Sequence, residues 1–340
     1  MPHWIKIVCC SFLFAFVAQA AETEPVNLAE LKIRVQLAAD QKSLRFRVKD
    51  TATIKTPKGE ASLSSGEYTV KIAEAHAARQ RFHLFSKTFP LSERAKADAY
   101  ITEWKAKGYK PEIVVFGKQF QADNKTIDNR LLWISLARVD SQKEADALKK
   151  KLETQQAWAW IVPEIIAPGS GKLVLTGSQR KNVDATAPAQ IKSSAPIEVD
   201  GINVGLWKSQ KKARAFTGTL ELAIGPDGLI ELYETLPFDD YLCGVLPTEM
   251  PNSWPKEALC AQAVAARTEV LASLGGKHHL EGYDFCATEH CRAYGGHSAR
   301  AASTDDAVRT TRGAILIADG RPVPTVFSAN CGGWTENNDT

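Results

Sequence analysis

Apolar and polar residues alternate in two segments near the start of the chain, residues 31–37 and 43–49. The apolar positions are Ile33, Val35, Leu37, Leu44, Phe46 and Val48. Because successive side chains of a strand point to opposite faces, this alternation predicts half-buried β-strands. We therefore expect residues 26–78 to form an N-terminal β segment.

Between residues 81 and 164 the pattern changes to strand, helix, strand, and then repeats. In the first unit, the strand at Phe82 precedes a helix over residues 92–107, ended by Gly108, and a buried strand over residues 113–116. The second unit has a strand at Leu132, a helix opened by the capping box Ser141-Gln-Lys-Glu, and a strand over residues 158–162. Two such units predict an inserted βαββαβ domain, a small α/β sandwich.

Short strands with turn residues between them are expected in the second half of the chain. Residues 165–196 are predicted to be a β segment and linker, because residues 182–196 are rich in proline, serine and alanine. Strands resume at residue 197, with a hairpin around the turn Gly225-Pro-Asp-Gly228. This β region and the N-terminal one could form a single domain that the βαββαβ unit interrupts.

An alanine-rich helix is expected from about Trp254 to Leu274, ended by two glycines. Arg267 lies in the middle of its otherwise apolar stripe. An arginine there either extends its charged end to the surface or pairs with a carboxylate or a ligand in a cleft. The alanines would let another element approach closely, as a catalytic helix beneath a groove requires.

Glu249 lies between Pro247 and Pro251. Two residues with a fixed φ stiffen the backbone, so we expect a loop that holds this carboxylate in position. The alternative is a solvated surface charge, which is the usual state of a glutamate in a loop.

Composition and charge limit the classes of function. With 44% hydrophobic and 24% charged residues, the chain has the balance of a folded globular protein. At roughly 150 residues per domain, its 340 residues exclude a single small binding module. A net charge of +3, from 42 basic and 39 acidic residues, favours neither nucleic acid nor an anionic membrane as a partner.

The N-terminus has the pattern of a secretory signal peptide. Lys6 precedes an apolar run over residues 7–17, and Ala18 and Ala20 form a small-residue cleavage signal, so residues 1–20 are predicted to be removed. The run is too short for a hydrocarbon core of about 30 Å, and no later stretch reaches the ~18 residues needed. We expect an exported protein of the periplasm, cell wall or septum, without a membrane span in the mature chain.

Histidines and cysteines gather between residues 278 and 297. His279, Cys286, His290 and Cys291 supply four nitrogen and sulfur ligands, enough for a tetrahedral zinc ion. Such an ion would be structural, because protein ligands would fill all four positions. The competing interpretation is a disulfide between Cys286 and Cys291, which export favours, with solvated histidines. Five cysteines remain after residue 20, so they cannot all be paired within one chain.

From Phe238 onward the chain resembles the catalytic region of the stage II sporulation protein D (SpoIID/LytB) family. The pieces that match, in the family's order, are Asp240-Tyr-Leu-x-Gly-Val-Leu-Pro-x-Glu-Met-Pro, Trp254-Pro-x-Glu-Ala-Leu-x-Ala-Gln-Ala-Val-Ala-Ala-Arg-Thr, Tyr283-Asp-x-Cys, His290-Cys-x-x-Tyr, Thr311-Arg-Gly and Cys331-Gly-Gly-x-Thr-Glu.

The resemblance implies a β-rich α+β catalytic domain over residues 197–340 and the cleavage of peptidoglycan glycan strands. Enzymatic members are lytic transglycosylases acting on peptide-free strands, and some members bind zinc at the histidine and cysteine cluster. The family's catalytic glutamate falls on Glu249 and its essential arginine on Arg267. Cys331, Gly332 and Gly333 would lie beside the substrate groove. The family pattern continues past the end of this chain, so we expect the domain to be incomplete there.

Residues 81–164 resemble a SPOR domain, whose family folds as two βαβ units and binds septal glycan strands lacking stem peptides. The resemblance rests on topology and on the strand Trp133-Ile-Ser-Leu-Ala-Arg-Val before a helix rich in glutamate and alanine. The alternative is a ferredoxin-like module without a ligand, in which Trp133, Trp158 and Trp160 only pack.

Three functions are therefore open: a lytic transglycosylase, a non-catalytic enhancer of a cell-wall amidase, and a septal glycan-binding protein.

Overall fold

The computed structural model describes residues 25–122, 125–177, 182–204 and 210–327. The predicted signal peptide and the groove residues Cys331, Gly332 and Gly333 lie outside the described residues. Within the described ranges the fold is α+β and rich in strands, as the sequence predicts. No helix in these ranges is both long and apolar enough to cross a membrane.

The N-terminal β segment consists of six strands. They are β1 (Val26–Asn27), β2 (Lys32–Gln41), β3 (Ser43–Val48), β4 (Ala52–Thr56), β5 (Gly59–Leu63) and β6 (Gly66–His76). The alternating apolar side chains of β2 and β3 are buried, from Ile33 in β2 to Val48 in β3. The predicted strands are therefore confirmed, and β2 continues four residues beyond the predicted segment.

The next part of the chain has a strand, a helix and a strand, then a two-stranded hairpin, and then again a strand, a helix and a strand. Its elements are β7 (Arg79–Pro90), α1 (Arg94–Ala106), β8 (Glu112–Phe116), β9 (Gln119–Ala122), β10 (Lys125–Asp128), β11 (Leu131–Val139), α2 (Gln142–Thr154) and β12 (Trp160–Ala167). Ser141 caps α2 by accepting a hydrogen bond from the backbone N–H of Glu144. The strand predicted from Trp158 begins two residues later, and Trp158 is 69% exposed.

Four of these strands form one antiparallel sheet in the order β12-β7-β11-β8. Each βαβ unit is thus split, because a strand of the other unit lies between its two strands. The helices α1 and α2 cover one face, where Leu84, Trp104 and Leu152 are buried together. The opposite face carries a second, aromatic cluster that includes Phe85 and Phe116.

The hairpin of β9 and β10 interrupts this domain and was not predicted. It pairs with β1 in a separate three-stranded sheet. The side chain of Asn129, just after the hairpin, donates hydrogen bonds to the carbonyl oxygens of Leu271 (2.6 Å) and Leu274 (2.9 Å). The hairpin region therefore anchors the inserted domain to the C-terminal half of the chain.

The second half continues with strands and then with helices. The strands before the helices are β13 (Ser170–Gly177), β14 (Asn182–Ala187), β15 (Ala189–Ser193), β16 (Ile197–Val204), β17 (Gln210–Phe216), β18 (Thr219–Ile224) and β19 (Ile230–Pro237). They are followed by α3 (Phe238–Glu249), α4 (Lys256–Ser273), β20 (Phe285–Cys286), α5 (Ala302–Thr310), β21 (Ile317–Ala318) and β22 (Arg321–Pro322).

The linker predicted over residues 182–196 is instead folded. β14 and β15 occupy most of it, and Ala185, Ala187, Ala189 and Ile191 are buried. The alanine-rich composition suggests a loop, but these small side chains fit the narrow space between packed strands. Pro188 lies between β14 and β15. The linker prediction was therefore wrong.

Two large sheets join the N-terminal and C-terminal strands. One has the order β14-β13-β6-β3-β16-β17 and the other β20-β2-β19-β18-β15-β4-β5. They enclose one continuous hydrophobic core, which also contains residues of α3, α4 and α5. Strands before residue 197 pair with strands after it. The start of the expected catalytic domain at residue 197 therefore does not separate two folded units.

Candidate functional site

Glu249 is the last residue of α3 rather than part of a loop. The helix continues through Pro247 and ends because Met250 precedes Pro251 and takes an extended backbone, with φ −141° and ψ 136°. The hydroxyl of Thr248 donates to the carbonyl oxygens of Val245 (2.6 Å) and Ala293 (2.9 Å). The carboxylate is therefore held by a helix end that is tied to a neighbouring segment.

The neighbouring segment, residues 290–296, packs closely against α3 at Gly244. The N–H of Gly295 donates to the carbonyl oxygen of Gly244 at 2.9 Å. A Cβ atom at Gly244 would lie 2.5 Å from the ring of Tyr294, so only glycine allows this approach. The hydroxyl of Tyr294 donates to the buried carboxylate of Glu234 at 2.7 Å.

The position of this segment brings Arg292 into the electrostatic environment of Glu249. Burial raises the pKa of the half-buried Glu249, the Arg292 guanidinium partly opposes this rise, and the Glu289 carboxylate adds to it. Arg292 is 7% exposed, and its guanidinium lies over the ring of Phe285, 4.8 Å from the centroid. The helix end thus holds a carboxyl group that retains its proton at a higher pH than a solvated glutamate.

A second carboxylate, Glu269 on α4, lies on the other side of Arg292. Its Oε1 is 3.8 Å from Nη2 of Arg292, and the same Nη2 donates to the hydroxyl of Ser273 at 3.4 Å. Burial also raises the pKa of Glu269, against the effect of Arg292. One buried guanidinium therefore acts on two acidic groups from different helices.

Arg267 is buried and lies near a carboxylate other than Glu249. Its guanidinium is buried, with 2% exposure, and donates to the carbonyl oxygens of Val308 (2.8 Å) and Ala314 (3.3 Å). It lies 3.7 Å from Asp239, in the first turn of α3. Glu249 is ten residues further along the helix, about 15 Å at 1.5 Å per residue.

The structure brings together three of the four predicted metal ligands, Cys286, His290 and Cys291, with His278 in place of His279. The four ligand atoms lie within 4.8 Å of one another. The ring of His279 instead packs edge-on against Phe116, with 5.7 Å between centroids. The two neighbouring histidines point in different directions because they begin a short 3₁₀ turn.

The hydrogen bonds around this cluster fit a metal ion. Nδ1–H of His278 donates to Glu281 Oε1 at 2.6 Å, which leaves the lone pair on Nε2, the arrangement of a metal-bound histidine with a carboxylate partner. Nε2 is buried and has no hydrogen-bond partner among the described residues. The sulfurs of Cys286 and Cys291 are not bridged, and each lies within 4 Å of Nδ1 of His290. Two sulfur and two nitrogen donors suit zinc.

Arg292, Glu269 and His278 were not identified from the sequence. Arg292 occupies a variable position inside the His290-Cys-x-x-Tyr motif, and Glu269 is one polar residue among several on α4. The only available signal for His278 was Glu281 three residues later, a spacing that allows a histidine and a carboxylate to meet in a helical turn.

Part of the chain that contains these residues is similar to a known protein family. Residues 227–317 match the family model described as stage II sporulation protein (SpoIID). The amidase enhancer of Bacillus subtilis is 39% identical over 95 residues, 28% of this chain and 12% of that protein. Stage II sporulation protein D of the same organism is 28% identical over 118 residues, 31% of this chain and 34% of that protein.

An uncharacterised protein of Brachyspira hyodysenteriae is 38% identical over 122 residues, 36% of this chain and 33% of that protein. The chain thus spans about a third or less of the length of these relatives. No solved structure matches it.

Proposed function

We propose, from the similarity of residues 227–317 to the SpoIID family and to two relatives of that kind, that the protein is a lytic transglycosylase that cleaves peptidoglycan glycan strands. The observation that carries the proposal is the state of Glu249: a half-buried carboxyl group at a fixed helix end, with its pKa raised by burial and a buried guanidinium nearby. That is the environment a general acid requires.

Glu249 performs both proton transfers in this mechanism. It first donates its proton to the glycosidic oxygen as the bond from that oxygen to C1 breaks. The resulting carboxylate then removes the proton of the 6-hydroxyl of the same sugar, whose oxygen bonds to C1 and closes a 1,6-anhydro ring. Because this hydroxyl replaces water as the nucleophile, the second carboxylate of an ordinary glycosidase is not required.

Arg292 balances the two states of Glu249. Burial favours the protonated acid that begins the reaction, whereas the guanidinium favours the carboxylate that exists between the two transfers. Arg292 is 7% exposed, so its guanidinium is held in a fixed position. It can therefore stabilise the carboxylate without reorganising during the reaction.

Arg267 acts as a positioning residue in this proposal. Its hydrogen bonds tie α4 to the end of α5 and to the backbone that follows at Ala314. The catalytic helix α3 packs against both helices in the same core. Loss of Arg267 would thus act on Glu249 through the packing of three helices.

His278, Cys286, His290 and Cys291 would hold a structural zinc ion. The ion would neutralise the cysteine thiolates and fix the ends of the segment that leads to Arg292. The Cys291 thiol already holds the pKa of Cys286 well below its usual range by hydrogen bonding. Because four protein ligands fill a tetrahedral ion, it would leave no position for the substrate.

The proposed location is the cell wall or septum, reached through the signal-peptide pattern of residues 1–20. The βαββαβ domain has the split strand order of two βαβ units. Its proposed role is SPOR-like recognition of the same glycan strands.

The test is to incubate the purified protein with amidase-treated strands and to look for 1,6-anhydro ends by mass spectrometry. Intact strands serve as the matched substrate, and we expect fewer ends from them. A second candidate, enhancement of a cell-wall amidase, is supported by the relative named amidase enhancer. If no anhydro ends form but the protein accelerates an amidase on intact sacculi, this second function replaces the first.

A further inference from the structure

The two faces of the inserted domain have different surroundings. One face of its sheet meets the C-terminal half of the chain, where the ring of His279 lies 5.7 Å from that of Phe116 and Leu280 packs in the same aromatic cluster. The helices α1 and α2 pack on the opposite face of the sheet. Their outer sides therefore point away from the C-terminal half.

Lysines gather where the C-terminal ends of these two helices meet. Tyr109, just after α1, connects the ends: its hydroxyl donates to Gln155 Oε1 at 2.9 Å, and its ring centroid lies 5.8 Å from Nζ of Lys151. The ring of Tyr109 also packs edge-on against Trp104, with 5.1 Å between centroids. The lysines at these helix ends, here called the lysine face, are Lys105, Lys107, Lys110, Lys149, Lys150 and Lys151.

The lysine face is strongly positive, although the chain as a whole is nearly neutral. Residues 103–110 and 149–158 contain the six lysines and two acidic residues, Glu103 and Glu153, which gives a net charge of +4. Within the described residues, Lys107 is the one lysine of the six in an ion pair, with Glu103 at 2.6 Å. The net charge of all 340 residues is +3, so the positive excess of the chain is concentrated on this face.

An exposed tryptophan adjoins the lysine face. Trp158 follows α2 and is 69% exposed, and Nζ of Lys149 lies 5.6 Å from the centroid of its ring. A large aromatic ring in water is an unfavourable arrangement, which burial against a partner relieves. Tryptophan and lysine side by side are typical of surfaces that meet a bilayer, because the ring lies among the headgroups while the ammonium groups meet phosphates.

We propose that the lysine face and Trp158 bind the surface of an anionic phospholipid bilayer. The six lysines supply charge complementarity to the lipid phosphates, and the indole ring of Trp158 enters the headgroup layer beside them. An acidic polypeptide would pair with the same lysines, but it gives no reason for an exposed ring at their edge. The C-terminal half, on the other side of the sheet, faces away from the bilayer in this arrangement.

Binding at the lysine face does not depend on the reaction proposed for Glu249, because the two lie on different parts of the chain. Its consequence is for the position of the protein. A charge-based contact holds the chain at a membrane surface reversibly, since salt screens the attraction. The C-terminal half then remains directed toward material outside the bilayer.

The test is co-sedimentation of the purified full chain with vesicles of phosphatidylglycerol and phosphatidylcholine, and with vesicles of phosphatidylcholine alone. We expect binding to the anionic vesicles only, and weaker binding as the salt concentration rises. The triple variant Lys149→Gln, Lys150→Gln, Lys151→Gln should bind about 10- to 100-fold more weakly, because each basic residue near an anionic surface contributes about fivefold.

The matched control is the triple variant Lys42→Gln, Lys49→Gln, Lys58→Gln. It removes the same charge from exposed lysines of the N-terminal β segment and should bind as the wild-type protein does. Melting temperatures of both variants establish that each is folded. Equal losses of affinity in the two variants would overturn the proposal, because total charge rather than the lysine face would then control binding. Equal binding to neutral and anionic vesicles would also overturn it.

The position of Trp158 is tested with brominated lipid, which quenches a tryptophan that enters the headgroup layer. We expect quenching on binding to be largely lost in Trp158→Phe and retained in Trp254→Phe, since Trp254 is also exposed but lies just before α4. Unchanged quenching in Trp158→Phe would contradict this placement. If the protein binds polyglutamate but no vesicles, the face serves an acidic polypeptide and the lipid proposal fails.

Discussion

The charge of Arg292 acts on the carboxyl group of Glu249 against the effect of burial. Replacing it in Arg292→Met should therefore raise the pKa of Glu249 further. Because a general acid must be protonated, the alkaline limb of the pH–rate profile for anhydro-sugar release should move to higher pH. Arg292→Lys keeps a positive charge and should retain a limb nearer to that of the wild-type protein. An alkaline limb that stays in place or moves to lower pH in Arg292→Met would show that this charge does not act on the reacting acid.

The neighbouring residues His278 and His279 have different surroundings, although they are chemically identical. His278 meets Cys286, His290 and Cys291, whereas His279 packs against Phe116. We expect about one zinc ion per chain in the wild-type protein and in His279→Ala, and almost none in His278→Ala. Elemental analysis measures this, and treatment with a chelator should lower the melting temperature of the wild-type protein. Zinc retained in His278→Ala but lost in His279→Ala would restore the original ligand prediction.

The site could be predicted in part at the level of residues. Glu249 and three of the cluster residues stand in recognisable motifs, so the sequence alone identifies them. Arg292 could not be identified, because its importance depends on close packing of its segment against Gly244. His278 could not be distinguished from His279 by spacing, because the hydrogen bond between His278 and Glu281 determines which of the two rings faces the cysteines.

Among the secondary-structure elements, α3 depends on glycine at position 244. Alanine there would place a Cβ 2.5 Å from the ring of Tyr294, which is itself buried and hydrogen-bonded. We expect Gly244→Ala to lower the free energy of unfolding by about 1–3 kcal/mol, as overpacking usually does. Urea denaturation measures the change.

The control for this substitution is Ala261→Gly, on the exposed side of α4. It should cost about 1 kcal/mol through helix propensity alone. By propensity alone, Gly244→Ala should be stabilising by a similar amount. A more stable Gly244→Ala variant would therefore contradict the close contact between α3 and Tyr294.

Elements whose apolar residues repeat at a regular spacing could be predicted from the sequence. Elements that depend on pairing with distant strands could not. β2 and β3 follow from alternation, and α4 follows from its length and its terminal glycines. β14 and β15 were missed because alanine and proline carry little periodic signal, although the sheets bury these alanines. The hairpin of β9 and β10 is polar, and its pairing with β1 involves residues far apart in the sequence.

The stability of the whole molecule should depend on pH through Glu234. This carboxyl group connects β19 with the backbone N–H of Gly218 and with Tyr294, and burial raises its pKa from 4.5 to about 7. The folded state then binds the proton more tightly than the unfolded state does. The contribution of Glu234 to the free energy of unfolding is fully present below pH 4.5 and is lost as the pH rises to about 7. Each unit of difference between the folded and unfolded pKa corresponds to about 1.4 kcal/mol.

Glu234→Gln mimics the protonated form and should remove this contribution. Relative to the wild-type protein, the variant should gain on the order of 3 kcal/mol in free energy of unfolding between pH 4.5 and pH 7. Urea titrations at several pH values in this range give the difference and cancel the effects of other groups. A difference that stays constant with pH would mean that Glu234 is ionised throughout.

At the level of the whole chain, the acid at the end of α3 is the central claim. The most direct measurement compares the rates at which wild-type protein and Glu249→Gln release 1,6-anhydro ends from amidase-treated strands. Glutamine keeps the shape of the carboxyl group but cannot donate and recover a proton, so we expect a loss of about 10² to 10⁴-fold with thermal stability nearly unchanged. Glu257→Gln, at an exposed position of α4, is the matched control and should retain full activity. Release of anhydro ends by Glu249→Gln at nearly the wild-type rate would contradict Glu249 as the single acid and base.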